Sequence, residues 1–179
     1  MPLERPKPGE YHPDYDRYIS LIPASDVVTT LALQISKTIG LLAARSEDDG
    51  NLYYQPGKWT VKEVLGHLSD TERIMSYRAL RFARNDRTPI EGFEQDDYVR
   101  GGPFVELRLV DLVEEFKTVR ASTLALFRNL RPDDWTRRGI ANQNEISVRA
   151  LAYVIAGHEL HHRHILEEKY FNLTEARSA

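Results

Sequence analysis

The sequence contains no cysteine among its 179 residues. This absence excludes a disulfide framework, thiolate zinc sites and a cysteine nucleophile, so any thiol in a reaction has to come from a second molecule. The sequence also has no run of about 18 apolar residues, and we therefore expect no membrane-spanning helix. The opening residues, MPLERPKPGEYHPDYDRY, lack the apolar stretch of a secretory signal. A cytoplasmic protein is the resulting expectation.

A broad excess of positive charge is absent as well. The chain has 24 lysines and arginines against 27 aspartates and glutamates, a formal net charge of -3 and a pI of about 6.1. Such a balance predicts no nucleic-acid partner. Hydrophobic residues make up 41% of the chain, which is ordinary for a soluble globular protein and sufficient for one domain with a sizeable core.

The prolines and the apolar periodicity divide the chain into two parts. Residues 1–24 contain five of the nine prolines. They are predicted to form an irregular N-terminal arm, because proline interrupts regular elements. Residues 25–179 are predicted to form a single helical domain.

Four segments of this domain carry apolar residues at helical spacing, at about 26–45, 60–84, 106–130 and 147–170. Strand-like alternation is absent at any useful length. We therefore predict an all-α fold, a four-helix bundle. The long connection at 85–105 is predicted to be a crossover between the second and third helices. It would let these two helices run parallel, which a short turn could not do.

Four of the six histidines lie within the segment GHELHHRHIL of the fourth predicted helix. On a helical wheel with 100° per residue and His158 at 0°, the apolar face of this helix is centred at about 20°. His158 and His162, at about 40°, lie within that face. His161 lies at the edge of the apolar face, at about -60°, and His164 lies on the flank of the helix, at about -120°. The helical period thus selects His158 and His162 as an inward-facing pair.

The same segment matches the zinc-protease motif H-E-x-x-H, because His158, Glu159 and His162 stand at the required spacing. In a metalloprotease the two histidines would hold the metal and Glu159 would be the general base. The motif is short and occurs by chance, and Glu159 lies about 100° from His158 on the helix. We therefore keep the protease as a minor alternative.

A metal on one helix face needs a ligand from elsewhere, and His67 on the second predicted helix can supply it. Thr60 and Glu63 form a capping box that starts this helix. A glycine precedes the histidine in both helices, Gly66 and Gly157, and permits a close helix approach. Three histidines from two helices are typical of an open site with room for another molecule. The alternative for His67 alone is a hydrogen-bonded core histidine.

These features resemble the DinB/YfiT-like superfamily of four-helix metal proteins. The resemblance lies in W-[ST]-x-x-E-x-x-x-H, from Trp59 to His67, and in H-x-x-x-H, from His158 to His162. It extends over most of residues 25–170. The resemblance implies the up-down-down-up bundle and a divalent metal, zinc or nickel in different members, held by His67, His158 and His162. It also implies a homodimer.

The resemblance implies several activities. Some members are thiol S-transferases that use bacillithiol, mycothiol or glutathione, one type isomerises maleylpyruvate, and many are described as metal-dependent hydrolases. We expect a metal-dependent enzyme that activates a low-molecular-weight thiol for transfer to a small-molecule substrate. The alternatives are a hydrolase, a non-catalytic metal-binding stress-response protein whose metal ties two helices together, and a metal-free bundle.

The sequence offers little on the other residues of such a site. Three neutral imidazoles would leave the ion its full charge and lower the pKa of bound water or thiol. Asp70, one turn after His67, could orient that ligand. We expect a lid or substrate wall from the 85–105 connection. Its polar residues are Asp96, Asp97, Tyr98 and Arg100.

Overall fold

This computed structural model describes residues 4–23 and 26–172. The fold is mostly helical, with four long helices and two short ones. The long helices are α2 (Val27–Ala43), α3 (Val61–Ala83), α5 (Leu109–Arg128) and α6 (Val148–Ile165), and the short ones are α1 (Asp16–Ile19) and α4 (Gln95–Gly101). None of the helices in the described part of the chain is long and apolar enough to cross a membrane.

Side-chain caps fix where the long helices begin. The predicted capping box is confirmed, because the Thr60 hydroxyl accepts from the backbone N–H of Glu63 and the Glu63 carboxylate accepts from that of Thr60. Asp26 caps α2, while Ser25, the other predicted cap, lies outside the described residues. Ser147 caps α6 by accepting from the backbone N–H of Ala150 at 3.1 Å.

Helix α6 is the centre of the molecule. Residues 148–159 are buried, with the sole exception of Arg149 in that range, because α1, α2 and α3 all pack against this helix. A helix that is apolar on every side has to be enclosed in this way. Helix α5 completes the bundle by packing against α2 and α3. At its C-terminal end α6 continues as a π-helical turn, Leu166–Phe171.

The N-terminal arm contains two short elements, a 3₁₀ turn (Pro13–Tyr15) and α1. Ile19 and Ile22 of this segment are fully buried in the core around α6. Glu10 forms an ion pair with Arg149 and accepts a hydrogen bond from Ser147. The predicted boundary at residue 24 lies outside the described residues, so the division into residues 1–24 and 25–179 stays a prediction.

The expectation that the chain has no strands is wrong at residues 138–147. Strand β1 (Arg138–Ala141) pairs antiparallel with β2 (Asn144–Ser147). Asn142 and Gln143 join them with positive φ values of 48° and 63°, the backbone of a primed hairpin turn. Strands of four residues are too short to show a clear period-two alternation, which is why the sequence pattern did not reveal them.

The 85–105 connection is also more regular than its sequence suggests. It contains α4 and leads into a 3₁₀ turn, Phe104–Glu106. The Phe104 ring lies against two glycines, Gly66 of α3 and Gly102 at the end of α4, and a Cβ at either glycine would overlap the ring. This contact fastens α4 to the part of α3 that carries His67.

Candidate metal centre

The structure brings His67 of α3 together with His158 and His162 of α6. One ring nitrogen from each of the three side chains lies within 4.8 Å of the others. The Nε2 atoms of His67 and His158 are 2.9 Å apart. His67 and His158 are buried and His162 is half-buried. Residues 91 positions apart in the sequence thus present their nitrogens to one point.

Burial keeps these three imidazoles neutral. It lowers the pKa of His67 to about 4 and the pKa of His162 to about 3. The pKa of His158 is lowered well below its usual value, by burial first and then by the neighbouring His162 and His67. A metal ion binds the neutral form of histidine, so no proton has to be displaced near neutral pH.

Aromatic side chains surround the three histidines. The Trp59 ring lies 4.8 Å from the ring of His67 and is stacked at 6.5 Å on that of His162. The Tyr18 ring meets His158 edge-on at 5.2 Å. Tyr170 holds the Trp59 segment in place by donating a 2.6 Å hydrogen bond to the Trp59 carbonyl. These rings shield the histidine nitrogens from water on two sides.

Both glycines that precede the histidines permit close contacts, and at Gly157 the contact is a helix–helix approach, because Tyr18 belongs to α1. Gly66 accommodates the Phe104 ring. Gly157 accommodates the backbone of Tyr18, whose carbonyl oxygen a Cβ at this position would overlap. Both glycines therefore hold neighbouring segments against the ligand-bearing helices, α3 and α6.

Of the other polar residues considered for the site, some lie next to the three histidines and others do not. His164 is exposed, which confirms that it lies away from the site. His161 is half-buried and its ring lies 5.1 Å from that of His162. Asp70 pairs with Arg73 at 3.4 Å rather than with His67. The hydroxyl beside His67 belongs to Thr71, 3.4 Å from Nδ1.

A buried ion-pair network, which was not predicted from the sequence, lies beside the site. Arg120 of α5 is 1% exposed and donates two hydrogen bonds to Glu72 of α3, at 2.8 and 2.7 Å. The remaining nitrogen of its guanidinium group, Nη1, lies 2.7 Å from the carboxylate of Glu159 on α6. Thr38 of α2 donates to the same carboxylate at 2.6 Å. The network therefore joins all four long helices.

This network removes the basis of the metalloprotease alternative. The Glu159 carboxylate is 1% exposed and is already bound by Arg120 and Thr38. A general base has to reach the proton that it takes from the substrate or the water. Glu159 does not meet this condition, although the motif H-E-x-x-H is present in the sequence.

A cavity of about 360 Å³ opens beside His162. Aromatic side chains form one wall, namely Tyr54, Trp59 and Tyr170. Two polar residues of α4, Gln95 and Asp96, also line the cavity. Of the residues expected to form a lid or wall, Asp96 is thus placed at the cavity, while Asp97 pairs with Arg100 at 2.9 Å and Tyr98 packs on Phe93.

The three histidines fit a divalent metal ion. Imidazole is a suitable ligand for zinc and for nickel. Metal–nitrogen bonds of about 2.0–2.1 Å at tetrahedral angles put the nitrogens about 3.4 Å apart. The separations observed here, from 2.9 Å to at most 4.8 Å, lie on both sides of that value. Three protein ligands next to a cavity are typical of catalytic sites, in which a position is left for another molecule.

Comparison with known proteins gives a family match and a fold match. The sequence model of the DinB superfamily matches residues 30–166. No curated protein sequence matches the chain. Among solved structures, the chain is similar to YfiT from Bacillus subtilis, described as a probable metal-dependent hydrolase with an unusual four-helix bundle topology. The TM-score is 0.68 at 15% sequence identity, covering 97% of this chain and 93% of that chain.

A second solved structure with this fold is the mycothiol-dependent maleylpyruvate isomerase. Its TM-score is 0.66 at 13% identity, and the match covers 80% of this chain. It covers 60% of the isomerase chain, so the present chain spans less than two thirds of that protein's length. At these identities the likeness shows a shared fold alone.

Proposed function

Because the chain belongs to the DinB superfamily, we propose that it is a metal-dependent enzyme whose divalent ion, zinc or nickel, is held by His67, His158 and His162. The observation that carries this proposal is the convergence of three neutral imidazole nitrogens at the edge of a cavity. A metal that only tied two helices together would need no cavity beside it. The cavity therefore favours catalysis over a purely structural ion.

The proposed reaction activates a low-molecular-weight thiol: the thiol gives up its proton, its sulfur forms a bond to an electrophilic carbon of a small molecule, and the electron pair displaced from that carbon leaves with a leaving group or takes up a proton. When bound, an ion held by three neutral ligands keeps its full charge and acidifies a thiol or water that reaches it. The chain has no cysteine, so the thiol has to be a cosubstrate. The mycothiol dependence of one structural relative, the maleylpyruvate isomerase, supports this choice.

The chain's own residues bind, orient and shield. The three histidines supply the donor nitrogens, and the Thr71 hydroxyl, 3.4 Å from Nδ1 of His67, restrains that ring. Trp59 packs on the rings of His67 and His162 and restrains their orientation. The cavity beside His162 is the route by which a substrate approaches. Hydrolysis, the activity described for YfiT, is the alternative.

We also propose the up-down-down-up order for the four long helices. Two contacts between α2 and α6 support it. Gln34 donates to the Ala156 carbonyl at 3.1 Å, and Thr38 donates to Glu159 one turn farther along both helices. Residue numbers that rise together are expected for parallel first and last helices. The 85–105 connection would be the crossover, and a homodimer in the cytoplasm remains part of the proposal.

Metal analysis tests the proposal directly. Protein purified without a polyhistidine tag is expected to retain one divalent ion per chain, measured by elemental mass spectrometry. His162→Ala should lose the ion, whereas His164→Ala, which alters an exposed histidine of the same helix, should keep it. Equal metal content in the two variants would contradict the ligand assignment.

Activity is tested separately with the metal-loaded protein. We expect thiol consumption with a bimane electrophile, and its loss after removal of the metal by a chelator. Hydrolysis of ester or amide substrates without thiol consumption would favour the hydrolase. Metal retention without either reaction would favour a non-catalytic protein.

A further inference from the structure

The cavity beside His162 has two charged side chains of opposite sign on its walls, Lys58 and Asp96. Neither has an ion-pair partner within residues 4–23 and 26–172. Their neighbours in the sequence differ in this respect, since Asp97 pairs with Arg100 and Lys62 pairs with Glu47. The two charges that face the cavity are thus left available for a ligand.

The backbone at Lys58 is fixed relative to the histidines. The backbone N–H of Lys58 donates to the Gln55 carbonyl at 3.1 Å and closes a turn with Gly57 at a φ of +78°. The next residue is Trp59, whose ring packs on His67. The backbone of Lys58 is therefore held beside the site, and its exposed side chain lines the cavity.

The backbone at Asp96 is fixed as well. Gly102 caps the C-terminal end of α4, and the Phe104 ring lies against both this glycine and Gly66 of α3. Gly66 immediately precedes His67. The contact of the Phe104 ring with these two glycines therefore holds α4, which carries Asp96, against the part of α3 that carries His67.

We infer that the cavity binds a zwitterion of the amino-acid type, whose ammonium group pairs with Asp96 and whose carboxylate pairs with Lys58. The inference rests on the proposed function and specifies its cosubstrate, a cysteine-derived thiol with an uncapped amine. The apolar part of the ligand lies along Tyr54, Trp59 and Tyr170, and the sulfur faces the histidines. A volume of about 360 Å³ accommodates a small ligand of this kind.

Three probe thiols test the ammonium group and the carboxylate of the ligand separately. L-Cysteine carries both groups, N-acetyl-L-cysteine only the carboxylate, and L-cysteine methyl ester only the ammonium group. Affinity for the metal-loaded full-length protein is measured by calorimetry and by quenching of tryptophan fluorescence. Each probe is compared between variants rather than with the other probes, because capping also changes the acidity of the thiol.

Asp96→Asn should weaken the binding of cysteine and its methyl ester about fivefold and leave N-acetylcysteine unchanged. Lys58→Gln should weaken cysteine and N-acetylcysteine by a similar factor and leave the ester unchanged. Asp97→Asn is the matched control, because this carboxylate pairs with Arg100 on the same helix and does not line the cavity. It should alter none of the affinities.

The inference is overturned if Asp96→Asn and Asp97→Asn behave alike, or if each variant affects all three probes equally. A parallel series with S-methyl-L-cysteine and its N-acetyl derivative separates the inference from the proposed function. If these ligands respond to Asp96 and Lys58 while no free thiol binds, the thiol-transfer proposal is wrong and the zwitterion site stands. If neither series binds, the zwitterion inference is wrong.

Discussion

Replacing Arg120 by methionine should reveal how strongly the bundle depends on its buried ion-pair network. The guanidinium group binds Glu72 through two nitrogens and Glu159 through a third, and it also donates to the Leu31 carbonyl at 3.0 Å. Burial alone lowers the pKa of Arg120, but the carboxylates of Glu72 and Glu159 more than offset this effect and raise it. Methionine has a similar length and removes only the charge and the donors.

The loss of unfolding free energy follows from the two carboxylates that the substitution leaves in the interior. Glu72 and Glu159 are 3% and 1% exposed, so Arg120→Met leaves two carboxylates without a cation in the interior. Removing one partner of a buried pair costs about 3–5 kcal/mol of unfolding free energy. Because this single cation serves two carboxylates, we expect about 5 kcal/mol, which is a large part of the ~5–15 kcal/mol that stabilises a typical domain.

Urea unfolding at neutral pH, followed by circular dichroism, measures this loss. Arg108→Met is the matched control, because its pair with Asp111 is exposed to solvent and should contribute little to the unfolding free energy. A triple variant, Arg120→Met with Glu72→Gln and Glu159→Gln, should recover part of the loss, since it leaves no unpaired charge. A cost below about 1 kcal/mol for Arg120→Met, or a triple variant less stable than the single one, would refute the reasoning.

Two further predictions concern the contacts around α6. Gly157→Ala should lower the unfolding free energy by ~1–3 kcal/mol, because the new Cβ would overlap the Tyr18 carbonyl oxygen. Gly40→Ala, in α2 with open space around it, should instead raise it by up to about 1 kcal/mol, and equal effects in urea unfolding would contradict this. Glu10 has a pKa of about 2, because hydrogen bonds from Arg149 and others outweigh burial, which raises it. Its stabilisation is therefore complete above about pH 4.5 and is lost as the pH falls towards 2, so the deficit of Glu10→Gln should shrink over that window, whereas a pH-independent deficit would argue against the ion pair.

The long helices and the histidine cluster could be predicted because both follow from the helical period. Thr60 and Glu63 mark the start of α3 through local chemistry that needs no tertiary contact. The spacing of His158 and His162 puts both on one face of α6, and that face is the one packed against His67. The helix cap and the shared face of His158 and His162 each depend on residues at most a few turns apart, whereas the contact with His67 joins residues 91 positions apart.

The buried network could not be predicted in the same way, because a charged residue in a sequence is usually solvated. Arg120 nevertheless carried a signal, since it lies four residues after Phe116 and three before Thr123, within the apolar stripe of α5. Its partners, Glu72 and Glu159, lie on other helices, so their pairing depends on how the helices are arranged. The strand pairing at residues 138–147 depends on tertiary structure in the same way.

The motif H-E-x-x-H shows how one helix can serve two separate purposes. Residues 158 and 162 differ by about 40° and face α3, whereas Glu159 is turned by about 100° and faces α2 and α5. Its carboxylate is therefore bound to Arg120 and cannot approach a molecule in the cavity beside His162. A substitution at Glu159 would lower activity by disturbing the packing of α6, so lost activity alone would not identify a general base. A general base could be identified only with a variant that loses activity and keeps the unfolding free energy of the native protein. No substitution at Glu159 is expected to do so, because each would break the buried ion pair with Arg120.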